Sequence, residues 1–213
     1  MPTLDSSKLS LEDVHRLLHL KEELNGSFST LLTLDSLTEF ETQELLQIRN
    51  DFRNYLTEAK VSEGLIKFLT VAPLLRLAGF YRYPIKLTME DSTEIAVEDE
   101  EITITGRLDI LAVNTEIKTN NIPFWILVIE AKNSAIEVRQ GLPQLLTYAF
   151  KNLEQQSSVW GLVTNGLQYL FVHLRQETLT YQLMPELYLL DAERSIQLLQ
   201  VLKAICQLQN VSN

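Results

Sequence analysis

The spacing of apolar residues changes along this chain, and each change predicts a different kind of element. Over residues 10–79 apolar side chains recur every three or four positions, as in amphipathic helices, and Pro73 is expected to kink or split the last of them. Over residues 81–132 they alternate or run without interruption, which predicts a meander of strands. Helical spacing returns over residues 134–154, and three further strands precede a closing helix over residues 192–208. This order predicts an α/β protein with a central mixed β-sheet flanked by helices and an N-terminal helical extension.

The N-terminal part of the chain is predicted to be helical. Ser10 stands three residues before an acidic residue, as in a capping box, and opens a helix that is predicted to end near Gly26. Residues 1–9 are predicted to form a loose terminus. We assign residues 1–58 to a helical extension packed on the core and residues 59–213 to the core domain.

Two apolar runs, Ile102–Val113 and Phe124–Lys132, are predicted to be neighbouring strands. Asp109 lies inside the first run, and Glu130 and Lys132 end the second on one face, because side chains alternate across a strand. A charge inside an apolar strand is costly unless it is paired or binds a metal. Asp109, Glu130 and Lys132 are therefore expected to meet at one place, in the outline of a hydrolytic metal site.

This trio suits the hydrolysis of a phosphodiester. Mg²⁺ takes oxygen ligands and keeps several waters, so Asp109 and Glu130, with the backbone carbonyl of Ala131, would suffice to hold it; Mn²⁺ would also fit. Lys132 would orient or deprotonate the attacking water and stabilise charge on the phosphate. Because Glu and Lys also flank strands as solubilising ends, a structural ion-pair network is an alternative interpretation of the same residues.

Composition narrows the class of function. The 213 residues are 46% apolar and include one cysteine, Cys206, which predicts a globular protein of a reducing, cytoplasmic compartment. No apolar run approaches a membrane span and no signal-peptide pattern opens the chain, so no membrane association is expected. The net charge of -10 disfavours tight binding to bare duplex DNA, because phosphate affinity comes from Lys and Arg. Residues 101–151, which hold the charged trio, carry five basic and five acidic side chains and so have no net charge.

The motifs of this chain, taken in order, resemble a known family. Asp109 stands in Gly-Arg-Leu-Asp-Ile-Leu, Glu130-Ala131-Lys132 closes the next strand, and the following helix carries Gln144 and Tyr148. Over about residues 60–185 the chain resembles the PD-(D/E)xK nuclease superfamily, and within it the N-terminal nuclease domain of type I restriction enzyme R subunits. The further matches are Glu63, Pro73-Leu74-Leu75-Arg76, Gly79-Phe80 and Val163-Thr164-Asn165-Gly166.

The resemblance implies a restriction-endonuclease-like core and a role for the matched charged residues. It makes Asp109 and Glu130 metal ligands and Lys132 the catalytic lysine. Glu63 would be the helix glutamate that assists with the metal. A solvated Glu in the first turn of a Ser-capped helix is an equally good interpretation of Glu63.

The resemblance also assigns Gln144 and Tyr148 to the family's glutamine–tyrosine helix motif, which faces the site. Tyr148 would equally suit a core position with a satisfied hydroxyl group. Leu108 stands where the family motif has proline, and nothing in the chain resembles the phosphate-binding loop of the motor that follows this domain in R subunits. We therefore expect a free-standing activity, or a separate motor or specificity subunit as a partner.

The expected function is that of a Mg²⁺-dependent DNA endonuclease related to restriction or defence. Cleavage of both strands would need a homodimer or two sequential nicks. The alternative is a nuclease fold that binds nucleic acid or protein with weak or no catalysis, which the acidic composition and the missing motor favour. The intact Asp109, Glu130 and Lys132 argue against it, because a disused site has no reason to keep a charge inside an apolar strand.

Overall fold

The computed structural model describes residues 2–90, 92–97 and 101–208. None of the helices in these ranges is long and apolar enough to cross a membrane. The helices are α1 (Leu11–Leu18), α2 (Phe28–Leu31), α3 (Glu39–Glu58), α4 (Glu63–Ile66), α5 (Ala72–Ala78), α6 (Leu142–Phe150) and α7 (Ala192–Gln207). The strands are β1 (Thr3–Asp5), β2 (Lys21–Glu23), β3 (Ile85–Met89), β4 (Ser92–Val97), β5 (Ile102–Arg107), β6 (Ile110–Thr119), β7 (Ile122–Ala131), β8 (Ser158–Thr164), β9 (Gln168–Arg175), β10 (Thr180–Leu183) and β11 (Leu187–Tyr188).

The described strands form a large sheet and a small one. The large sheet has the order β2-β10-β9-β8-β7-β6-β3, with β11 paired to β9, and the small sheet has the order β1-β5-β4. In the large sheet β7 runs parallel to β8 and β2 runs parallel to β10, whereas the other pairs are antiparallel. The predicted α/β fold with a central mixed sheet flanked by helices is confirmed, and the architecture is compatible with a restriction-endonuclease-like fold.

The large sheet buries apolar side chains on both faces, which explains why β7 is a nearly continuous apolar run. Ile129 joins the apolar layer formed with α3, α5 and α7, whereas its neighbour Val128 joins the layer formed with α1 and α6. Glu130 lies two residues after Val128 and therefore shares its face. The end of β7 thus directs a carboxylate to the side of the sheet that α6 covers.

The N-terminal residues differ from the prediction in two places. α1 begins at the predicted capping box but ends at Leu18, because His19 adopts a left-handed backbone conformation with a φ of 53° and β2 then pairs with β10. Residues 1–9 were predicted to be loose, and Met1 lies outside the described residues. Of the others, β1 pairs in parallel with β5, and Ser6 is buried. The division of the chain at residue 58 stays a prediction.

The helical segment before β3 contains a widened turn. α4, a π-helical turn over Lys67–Val71 and α5 follow one another from Glu63 to Ala78. Pro73 has no N–H and its ring crowds the carbonyl four residues earlier, so a regular helix is disfavoured here. The predicted kink or split takes the form of this π turn, a feature that often marks functional sites, and Lys67 is its first residue.

Candidate functional site

Asp109 lies at a break between two strands. The run over Ile102–Val113 was predicted to be one strand, but β5 ends at Arg107 in the small sheet and β6 begins at Ile110 in the large one. Asp109 Oδ2 accepts a hydrogen bond of 2.7 Å from the backbone N–H of Ala131. The prediction of one continuous strand is therefore wrong. The Asp109 carboxylate takes the place of a backbone acceptor for the N–H of Ala131 at the end of β7.

Lys67 neutralises Asp109 from the π turn. Its Nζ lies 2.7 Å from Asp109 Oδ1 and 3.2 Å from Glu63 Oε1, and the side chains of Lys67 and Asp109 are only 12% and 14% exposed. Burial lowers the pKa of Lys67, because it disfavours the charged ammonium. The hydrogen bond and electrostatic attraction to Asp109, and second those to Glu63, outweigh burial, so the pKa of Lys67 is raised. One ammonium therefore bridges two carboxylates that come from different elements.

Glu130 and Lys132 form a second charged pair at the end of β7. Lys132 Nζ donates to Glu130 Oε1 at 2.6 Å, and the Glu130 side chain is 2% exposed. Glu130 Oε2 is buried and has no hydrogen-bond partner among the residues that the structure describes. Burial and the nearby negative charge of Asp109 raise the pKa of Glu130 to about 8, although Lys132 opposes the rise. The site thus holds a buried carboxylate oxygen that lacks a donor.

A turn packs closely against this pair. The 3₁₀ turn Val138–Gly141 leads into α6. A Cβ atom at Gly141 would lie 2.6 Å from Val163 Cγ1 and 3.2 Å from Lys132 Cε. Only glycine therefore allows the turn to approach the stem of Lys132 this closely.

Gln144 and Tyr148 extend the network away from Lys132. Lys132 Nζ donates to Gln144 Oε1 at 2.9 Å, and Gln144 Nε2 donates to the hydroxyl of Tyr148 at 2.8 Å. That hydroxyl also accepts from the backbone N–H of Arg107 at 3.0 Å and lies 3.0 Å from Ser6 Oγ. Burial raises the pKa of Tyr148, whose side chain is 1% exposed. Gln144 therefore positions the lysine, and Tyr148 anchors Gln144 inside the core.

The predicted site residues thus form two connected groups. The ammonium of Lys67 lies in one group and the ammonium of Lys132 in the other. No three His, Cys, Asp or Glu side chains among the described residues are arranged to hold a metal ion together. One group contains Asp109, Glu63 and the N–H of Ala131, and the other contains Glu130, Lys132, Gln144 and Tyr148.

Two members of the network were not predicted from the sequence. Lys67 follows Glu63 by four residues on a helical segment, and this spacing brings side chains together. The spacing would have allowed the Glu63–Lys67 pair to be predicted from the sequence. Ser6 carries no such signal, because its partner Tyr148 is 142 residues away in the chain.

The donor atoms of the site fit a hard divalent cation. Carboxylate oxygens are the ligands that Mg²⁺ and Mn²⁺ prefer, and the partnerless Glu130 Oε2 is an oxygen that a cation would satisfy. The negative charge of Asp109 contributes to the raised pKa of Glu130, so the two carboxylates act on each other. Lys67 and Lys132 supply the positive charge that balances them.

Comparisons with known proteins give little further guidance. No family model matches the chain, and no curated protein is significantly similar to it. A structure described as a fragment assigned to the HsdR subunit of a type I restriction enzyme from Vibrio vulnificus YJ016 matches with 23% identity and a TM-score of 0.39. The match covers 65% of this chain and 25% of that chain, so this chain spans about a quarter of that protein's length at most. A likeness at this level assigns no function, and the proposal below depends on the side chains.

Proposed function

We propose that this chain is a metal-dependent nuclease that hydrolyses DNA phosphodiester bonds at the end of β7, in a restriction or defence system. The observation that carries the proposal is the buried Glu130. Its Oε1 accepts a hydrogen bond from Lys132, and in the described part of the chain its Oε2 has no partner. Burying such a carboxylate is costly for a protein that makes no use of it. A cation-binding hydrolytic site accounts for this cost.

In this proposal each residue has a defined task. Asp109 and Glu130 would hold Mg²⁺ or Mn²⁺, with the carbonyl of Ala131 as a further oxygen donor, and Glu63 would assist with the metal from its position beside Lys67. When bound, the cation supplies charge neutralisation at the phosphate and a more acidic water. Lys132 orients that water and stabilises the charge that develops on the phosphate.

The second layer of the proposed site keeps Lys132 in place. Gln144 accepts a hydrogen bond from Lys132 Nζ, and Tyr148 fixes Gln144. Gln144 thereby holds the ammonium of Lys132 on the face of β7 from which Glu130 projects. This preorganisation matters because small misplacements of a catalytic group reduce rates strongly.

The assembly around this site is also part of the proposal. Residues 59–213 would form the nuclease domain, and residues 1–58 would pack on it. A separate motor or specificity subunit would bring the domain to its target, and a homodimer would allow both strands to be cut. The cytoplasm would be the compartment of such a system.

A second candidate function has one observation in its favour. Lys67 and Lys132 already neutralise Asp109 and Glu130, so the charged groups form a nearly closed ionic network without any cation. Such a chain would suit a nuclease-fold module that binds protein or nucleic acid and has weak or no catalysis, and its net charge of -10 disfavours the phosphate contacts of a nuclease on duplex DNA.

Cleavage assays separate the two candidates. The protein is incubated with plasmid and with single-stranded DNA in Mg²⁺, in Mn²⁺ and in chelator, beside Lys132→Ala and the exposed control Lys86→Ala. We expect metal-dependent cleavage that Lys132→Ala slows by about 100-fold or more, since Lys132 acts in proton transfer and charge stabilisation, and that Lys86→Ala leaves unchanged. Equal cleavage by Lys132→Ala, or none under any condition, would contradict the nuclease and favour the binding module.

A further inference from the structure

An apolar cavity opens beside the proposed catalytic site. Its volume is about 270 Å³, which is just below the roughly 300 Å³ at which pockets for drug-sized ligands begin. A space of this size suits a single ring system. The wall is almost entirely apolar and includes Gly64, Phe68, Tyr81, Leu87, Met89 and Ile110.

Three large side chains of this wall are exposed to solvent. Phe68 is 74% exposed, Tyr81 is 53% exposed and Met89 is 55% exposed. Single exposed apolar residues are common, but a group of them around one cavity marks a binding surface. Phe68 and Tyr81 are aromatic, and a planar ligand is able to stack on rings of this kind.

The cavity shares its wall with the proposed catalytic site. Lys67 lines the cavity and also places its Nζ 2.7 Å from Asp109 Oδ1. Ile110, another lining residue, directly follows Asp109 and pairs with Met89 across β3 and β6. A ligand in the cavity would therefore lie next to a phosphate bound near Asp109, because Lys67 contacts both places.

We propose that this cavity binds one unpaired base of a single-stranded DNA substrate, adjacent to the phosphodiester that is cut. The inference rests on the proposed nuclease function and adds a preference for single strands over duplexes. Bases of a duplex are paired and stacked, so they enter a cavity only after the cost of extrusion. The acidic chain gains little from phosphate contacts, and base stacking on aromatic rings supplies affinity in a sequence-tolerant way.

Binding in the absence of cleavage isolates this inference. Affinity is measured by fluorescence anisotropy in chelator, with a labelled single-stranded oligonucleotide and with the same sequence as a duplex. Phe68→Ala removes a ring from the cavity wall, and Phe40→Ala removes another exposed ring, which lies on α3 and does not line the cavity. We expect Phe68→Ala to weaken single-strand binding by about 5-fold to about 150-fold, the range for losing one stacked base, and Phe40→Ala to have no effect.

A second variant fills the cavity rather than emptying it. A Cβ atom at Gly64 would meet no atom within 4 Å, so larger side chains fit there without displacing the core. Gly64→Met should project into the cavity and weaken single-strand binding, whereas Leu46→Met, at an exposed position of α3 outside the cavity wall, should bind as the parent does. An oligonucleotide with 2-aminopurine beside the cleavage position should change its fluorescence with the parent protein and much less with Gly64→Met.

The outcomes distinguish this inference from the proposed function. Unchanged single-strand affinity in both Phe68→Ala and Gly64→Met, or equal affinity for duplex and single strand, would overturn the cavity inference even if the protein cleaves DNA. Binding that depends on Phe68 without any metal-dependent cleavage would refute the nuclease and leave a single-strand-binding cavity in place.

Discussion

Replacing Lys67 with methionine tests how charge is balanced in the site. Methionine keeps an unbranched stem of similar length, so the packing of the π turn should persist while the ammonium is lost. Lys67 Nζ lies 2.7 Å from Asp109 and 3.2 Å from Glu63, and its side chain is 12% exposed. The substitution therefore leaves Asp109 as a partly buried carboxylate whose remaining described donor is the N–H of Ala131.

The size of the effect follows from this geometry. At 2.7 Å, and with an effective dielectric constant of about 20, the Lys67–Asp109 attraction is about 6 kcal/mol before desolvation is counted. Breaking a buried pair costs about 3–5 kcal/mol net, and the slight exposure of both groups favours the lower end of that range. We expect Lys67→Met to lower the free energy of unfolding by about 3 kcal/mol in chelator.

The same substitution should strengthen cation binding. In the parent protein a cation at Asp109 competes with the ammonium of Lys67, and in Lys67→Met this competitor is gone. If binding displaces even about 1.4 kcal/mol of the Lys67–Asp109 interaction, Mn²⁺ affinity should rise about tenfold in the variant. Stability and cation affinity should therefore change in opposite directions.

Two measurements check these expectations. Guanidinium unfolding, followed by the fluorescence of Trp125 and Trp160, gives the stability, and calorimetric titration with Mn²⁺ gives the affinity. Lys86→Met, at an exposed position of β3, is the matched control and should change neither. Mn²⁺ affinity that stays the same or falls in Lys67→Met would refute the competition, and a stability change below about 0.5 kcal/mol would refute the paired burial.

Two further predictions concern the second charged group. The pKa of Glu130 is raised from 4.5 to about 8. Its contribution to stability is therefore fully present below pH 4.5 and is lost as the pH rises through 8. The free energy of unfolding of Glu130→Gln in chelator should depend less on pH over this window than that of the parent. Identical slopes for parent and variant would contradict a raised pKa of Glu130 in the folded protein. Tyr148→Phe should cost about 2 kcal/mol and lower Tm by about 4–8 °C, because the N–H of Arg107 and the amide of Gln144 lose their acceptor. An unchanged Tm by calorimetry would mean that neither donor depends on the hydroxyl.

Local pattern was enough to predict the elements that carry most of the candidate site. The apolar run of β7, its charged end at Glu130 and Lys132, and the helix that carries Gln144 all follow from side-chain period and strand length. The fold class was predicted correctly for the same reason. The roles of these residues in catalysis stay predictions.

The differences from the sequence prediction arise from contacts between distant residues. Periodicity alone treats the stretch around Asp109 as one strand, since the break depends on its bonds to Lys67 and to the N–H of Ala131. The pairing of β1 with β5 is likewise invisible in a short polar terminus, although it places Ser6 beside Tyr148. Tertiary contacts override local propensity at both positions.

Through Ser6, the first residues of the chain affect the position of a distant side chain, that of Lys132. Because a three-residue strand holds Ser6 in place, anything that displaces the strand also removes a hydrogen bond from Tyr148. An affinity tag ahead of this strand, or a protease cut shortly after it, would act on Lys132 through two intervening side chains. Activity lost in this way would result from a misplaced Lys132. Assaying the intact, untagged chain alongside would distinguish this cause from a defective active site.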